Sequence, residues 1–192
     1  MKSSFALPFA SRPVRSILLS ADSDTHFALP CLVQKEIAAT IRTLIVREGK
    51  GLPPELVLAA VNNSMDPMTA ESGSHWSLLV YETSNQTFWH FDSSAALNQR
   101  QARELSKQLG GVLAKDEWKY REAKAPMQTN GYSCGLYVIA IAMHLCEQYR
   151  DNNGIMEECI KDINDKVSPK RVESVRGELL SLTRSMQSNS VD

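Results

Sequence analysis

Two β-rich runs, Ser77 to Tyr81 (SLLVY) and Phe88 to Phe91 (FWHF), are separated by the six polar residues ETSNQT. Short aromatic and β-branched runs on either side of a polar turn predict an antiparallel hairpin. A hairpin brings the start of its first strand beside the end of its second. Here those ends carry His75 and Asp92. The midpoint of the two positions falls within the polar turn, so the two should face each other to within a residue or two. A carboxylate fixes the tautomer of a facing histidine and stabilises its imidazolium, as a general base requires. His90, two residues before Asp92, is an alternative base, and spacing favours His75.

The surrounding pattern describes one domain. Residues 1–28 read as an irregular N-terminal segment, 29–186 as one compact domain and 187–192 as a flexible tail. Apolar residues at helical spacing from Leu29 to Ile45 predict a helix stopped near Gly49. The apolar run Leu56 to Val61 predicts a buried strand closed by Asn62-Asn63, and residues 64–74 a loop. Ser93 or Ser94 is expected to cap a helix with Leu97, Ala102, Leu105 and Leu109 on its apolar face, ended by Gly110-Gly111. Trp118 to Glu122 alternates like a further strand. Gly135 to Cys146 (GLYVIAIAMHLC) is apolar on almost every face, which suits a helix buried in the middle of a domain. Helical stretches are expected over 155–167 and 169–186, with Ser168-Pro169 as cap and first turn of the last. The fold class is α+β: a central buried helix on a mixed or antiparallel sheet, with flanking helices.

Cys134 stands where the turn-rich loop Gln128 to Ser133 meets that buried helix. Backbone N–H groups at a helix start favour a thiolate and can hold an oxyanion. Gln128 could supply a second donor from the loop, and Gly135 leaves room for a substrate backbone. These residues alone leave two readings open: an activated nucleophile, or a small residue that merely starts a helix. Cys31, Cys146 and Cys159 read as buried small hydrophobes.

Composition narrows the partners. A net charge of -1 provides no basic field for nucleic acid. The longest apolar run, Leu136 to Met143, is far short of the roughly 20 residues of a membrane span. No C-x-x-C spacing or calcium-loop pattern occurs, and His144 and Cys146 lie two apart on the helix, so no metal and no cofactor is expected. No secretory signal is read in the first residues, which leads to an expectation of reduced thiols in the cytoplasm or nucleus.

The stretches SHWSLLVY (74–81), FWHFDS (88–93) and KAPMQTNGYSCGLYV (124–138) resemble the SUMO-specific or sentrin-specific protease family of papain-like cysteine peptidases, its deneddylase branch above all. The resemblance covers roughly residues 30–185. It implies a triad of His75, Asp92 and Cys134 with Gln128 in the oxyanion hole, and substrate contacts from Trp76, Asn130 and Gly135. In such enzymes the tryptophan after the histidine roofs a narrow tunnel for the Gly-Gly tail of a ubiquitin-like modifier; core packing is the other reading of Trp76. The implied function is cleavage after that tail, for the modifier of neddylation first and SUMO second, by a monomer. Two departures from the family pattern stand out. Ser133 occupies a position where the family usually has aspartate, and the family's upstream Trp-Leu-Asn-Asp segment has no match in residues 1–28. A modifier-binding module with impaired catalysis is therefore the alternative, and an unrelated thiol hydrolase of small amides or esters a third reading.

Overall fold

The structure is a computed structural model that describes residues 16–19, 55–63, 73–114 and 117–188. Five strands form one mixed sheet in chain order: β1 (Ser16–Leu19), β2 (Leu56–Asn62), β3 (Trp76–Glu82), β4 (Thr87–Phe91) and β5 (Lys119–Glu122). The β2–β3 and β3–β4 pairs are antiparallel, while β1 runs parallel to β2 and β5 parallel to β4. The expected hairpin is β3–β4, with Val80 opposite Trp89.

The central strands β2, β3 and β4 are largely apolar and buried because both faces of the sheet are covered there. Successive side chains point to opposite faces. Leu56, Leu58, Leu78, Val80, Trp89 and Phe91 therefore join one core, and Val57, Ala59, Val61, Leu79, Tyr81 and Phe88 another. The first core is filled by helix α2 (Cys134–Asp151), through Tyr137, Val138, Ile141 and Leu145, and by α5 (Pro169–Ser188), through Val172 and Val175. The second is closed by Ala102 and Leu109 of α1 (Gln99–Leu113). Helix α2 exposes none of its residues before Asp151, as its all-round apolar sequence predicts. The α+β architecture is the one expected, a central buried helix on a mixed sheet with flanking helices.

Four local expectations are corrected. Ser16–Leu19, within the segment read as irregular, forms β1 and joins the sheet beside β2. Helix α1 starts later than predicted: Asn98 is its N-cap position, and Ala95 and Ala96 precede it with φ of 51° and 65°. Ser93 and Ser94 are not its cap, and Leu97 is exposed. Gly110 and Gly111 lie inside α1 instead of ending it. A Cβ on Gly110 would collide with the Trp118 indole, so the glycine lets β5 approach the helix closely. The stretch 155–167 forms two short helices, α3 (Met156–Cys159) and α4 (Ile163–Lys166). The break comes where His144 Nε2 bonds the Cys159 carbonyl at 3.0 Å, taking the acceptor that a continuous helix would give to Ile163.

The start of α5 is as expected, with the Arg171 N–H donating to Ser168 Oγ at 3.3 Å. Its last described residue is Ser188, so the helix includes the first two positions of the expected tail. The helix expected over 29–45, with Cys31, lies outside the described residues.

Candidate active site

His75 and Asp92 meet at the open end of the hairpin. Continuing the β3–β4 register places Asp92 opposite Ser77, so His75 is its diagonal neighbour on the same face, within reach of a long side chain. His75 Nε2 lies 2.6 Å from Asp92 Oδ1, with both side chains almost fully buried. Asp92 Oδ1 also accepts the Ser94 N–H at 2.9 Å, and Oδ2 accepts the Asn98 N–H at 2.9 Å. Burial alone would push this carboxyl up; the Asn98 N–H, His75 and the Ser94 N–H outweigh it and hold the carboxyl below its ordinary value. Asp92 is thus ionised and can only accept, so Nε2 carries the imidazole proton. Nδ1 keeps the lone pair, which is what a base needs.

The backbone at His75 is fixed by two asparagines. Asn63 Oδ1 accepts the N–H groups of Ser74 and His75, at 2.7 and 3.0 Å. Asn98 Nδ2 donates to the carbonyls of Val61 (2.9 Å) and His75 (3.3 Å) and lies 3.1 Å from Ser77 Oγ. Asn98 therefore touches both halves of the pair, Asp92 through its N–H and His75 through its amide. The sequence carried no sign of this beyond an asparagine ahead of a helix.

Cys134 is the first residue of α2 and almost fully buried. No side chain caps that end, and the first intrahelical bond runs from the Tyr137 N–H to the Ser133 carbonyl at 3.0 Å. The N–H groups of Cys134, Gly135 and Leu136 therefore precede the helical ladder and stay available to an anion. A Cβ on Gly135 would meet nothing within 4 Å, which leaves the approach to the thiol open. Ser133, in the position of the family's aspartate, is buried, and its N–H donates to Asn130 Oδ1 at 2.9 Å. Asn130 Oδ1 also takes the Tyr132 N–H at 3.1 Å, so its side chain shapes the turn leading into Cys134.

Gln128 bridges the two halves. Its backbone N–H donates to the Ser93 carbonyl at 2.9 Å. Its Oε1 accepts from Ser93 Oγ at 2.8 Å, and its Nε2 donates to the Asn130 carbonyl at 2.6 Å. The loop after Asp92 is thereby tied to the loop before Cys134. Trp76, at the start of β3, is half-buried and packs against the core formed with α2.

The other candidates are placed elsewhere. His90 has no exposed surface and both nitrogens engaged, Nδ1 with Glu122 Oε2 at 2.7 Å and Nε2 with Ser77 Oγ at 2.9 Å, so it has no lone pair to offer Cys134. The buried Cys159 thiol donates to the Ile155 carbonyl at 3.1 Å; burial and nearby Glu82 push it up to about 12. Cys146 is half-buried. Among the described residues no three His, Cys, Asp or Glu side chains are grouped to hold a metal, and no helix is long and apolar enough to cross a membrane.

Residues 57–177 match the model of the Ulp1 protease family, C-terminal catalytic domain. The NEDD8-specific protease 1 of Arabidopsis thaliana is 33% identical over 139 residues, 71% of this chain and 62% of that protein. Human sentrin-specific protease 8 is 36% identical over 96 residues, 49% of this chain and 44% of that protein. The match thus spans 44% to 62% of the length of these relatives. Among solved structures, the Xanthomonas campestris effector XopD bound to ubiquitin is 26% identical with a TM-score of 0.47, over 70% of this chain and 64% of that one. With more than half of its length in the matched region, the chain belongs to the Ulp1 protease family and carries the catalytic domain of cysteine peptidases.

Proposed function

We propose that this chain is a thiol isopeptidase and processing protease that cuts after the C-terminal glycine of a ubiquitin-like modifier, with NEDD8 as its substrate. The observation that carries the reading is the buried 2.6 Å bond between His75 Nε2 and Asp92 Oδ1, which reserves Nδ1 for a proton from Cys134. The name of the Arabidopsis relative, a NEDD8-specific protease, supports NEDD8 over SUMO.

The chemistry follows from the site. Nδ1 takes the Cys134 proton, and the thiolate attacks the carbonyl carbon of the terminal glycine. The carbonyl oxygen becomes an oxyanion, held by the Cys134 N–H and the free hydrogen of Gln128 Nε2. The C–N bond breaks as His75 returns the proton to the leaving lysine amine, leaving a thioester. Water, deprotonated by His75, attacks that thioester; the modifier leaves as a carboxylate and the thiol is restored. Trp76 walls the channel through which the tail enters, where a flat ring admits glycine and excludes larger side chains. The protein works as a monomer in the cytoplasm or nucleus, where its cysteines stay reduced.

A panel of modifiers carrying a fluorogenic C-terminal amide tests the proposal. NEDD8 should be turned over at least about tenfold faster in kcat/KM than SUMO or ubiquitin, a gap of about 1.4 kcal/mol. Preference for SUMO would replace the substrate; turnover of none, with binding intact, would show a modifier-binding module instead.

A further inference from the structure

We infer that Ser93 is a positioning residue whose hydroxyl holds the Gln128 amide in the orientation that aims the oxyanion donor. The inference rests on reading Gln128 as that donor. A glutamine amide is ambiguous by shape: turned through half a rotation, it presents oxygen where nitrogen was. The Asn130 carbonyl, an acceptor alone, selects one orientation here, and the Ser93 hydroxyl holds the amide in it. Ser93 Oγ donates to Oε1 at 2.8 Å, and the Asn130 carbonyl accepts from Nε2 at 2.6 Å. The flipped amide would press its oxygen against the Asn130 carbonyl, two acceptors with no proton between them.

The Asn130 carbonyl is itself held in place, because Asn130 Oδ1 takes the N–H groups of Tyr132 and Ser133. One Nε2 hydrogen is therefore committed to Asn130, and the planar geometry of the amide directs the second away from it. That second hydrogen is the one available to an oxyanion. Without the Ser93 hydroxyl a single bond resists rotation of the amide, and Gln128 is only half-buried.

Ser93 is suited to this task. It is buried (2% exposed), directly follows Asp92, and also accepts the Gln128 backbone N–H at 2.9 Å. The peptide that carries the residue orienting the base thus also sets the oxyanion donor, and the two halves of the machinery share one reference point.

The test is Ser93→Ala in three readouts. Turnover of the NEDD8 amide should lose about tenfold in kcat with KM within about twofold, a fraction of the 10²–10³ that loss of a whole oxyanion donor costs. In a Gln128→Ala background the same substitution should cost nothing further, because the residue acts through that amide. Alkylation of Cys134 by iodoacetamide forms no oxyanion, so its rate should not change. An unchanged kcat, a full loss in the Gln128→Ala background, or an equal fall in alkylation would each overturn the inference. The third readout needs no turnover: ¹⁵N relaxation of the Gln128 side-chain amide should show an ordered group in the wild type that loosens in Ser93→Ala. Equal order in both proteins would overturn the inference even if no modifier is cleaved, whereas loosening without cleavage would leave it standing and remove only the function proposed for the chain.

Discussion

The hairpin carries two histidine–carboxylate pairs, and they differ in what is left over. At its open end His75 Nε2 meets Asp92 at 2.6 Å; within β4 His90 Nδ1 meets Glu122 at 2.7 Å. The distances are nearly equal. His90, however, spends its second nitrogen on Ser77 Oγ, is fully buried and has Tyr120 stacked on it at 6.4 Å. Both pairs lie on the sheet face toward α1, and His75 alone stands where the strand ends and the loops of the site begin. A histidine–carboxylate contact is therefore not a sign of catalysis by itself. The sign is a fixed tautomer with the second nitrogen unspent.

The largest effect that could break this contrast is at His75. His75→Ala should lower kcat on the modifier amide by at least about 10³-fold while leaving the fold intact. Asp92→Asn comes next, with a loss on the order of 10² from the wrong tautomer and the missing charge. It also has a pH signature in urea unfolding. The Asp92 carboxyl is held below its ordinary value, so its pairing stabilises the fold above about pH 4 and is lost as pH falls through its folded value. The stability gap between wild type and Asp92→Asn should accordingly narrow in acid. A gap that widened would mean that the carboxyl is not held by hydrogen bonds to its ionised form.

His90→Phe should do the reverse of His75→Ala. It leaves Ser77 and Glu122 without their partner, so stability should drop by about 2–3 kcal/mol, with kcat per folded molecule within about threefold. A large loss of kcat at unchanged stability would make His90 part of the catalytic machinery. The smallest effect belongs to Glu122→Gln. Its side chain is 29% exposed, and a glutamine can still accept from His90, so under about 1 kcal/mol is expected from chemical denaturation.

Much of this was readable in the chain. Strand β2, the hairpin, the buried helix, the Ser168 cap and the pairing of His75 with Asp92 follow from periodicity and turn composition, because each depends on neighbours close in sequence. The hairpin midpoint misses the observed register by one residue, and the diagonal reach of His75 absorbs the error. The start of α1 was not readable, because two alanines, Ala95 and Ala96, take up left-handed backbone that their type does not announce. That turn is held by the Ser94 and Asn98 N–H groups on Asp92, a contact made by folding and not by pattern. The part played by Asn98 and the closeness of Gly110 to Trp118 depend in the same way on segments brought together from afar. Ser93 and Gln128 are 35 positions apart; only the fold shows that they share a bond.

The account turns on Cys134 as the nucleophile, and intact-mass spectrometry addresses it directly. NEDD8 with a thiol-reactive group in place of its terminal carboxyl should add once to the wild-type protein, with the adduct mapped to Cys134 and absent in Cys134→Ala. An adduct that persists in Cys134→Ala, or that maps to another cysteine, would contradict the account.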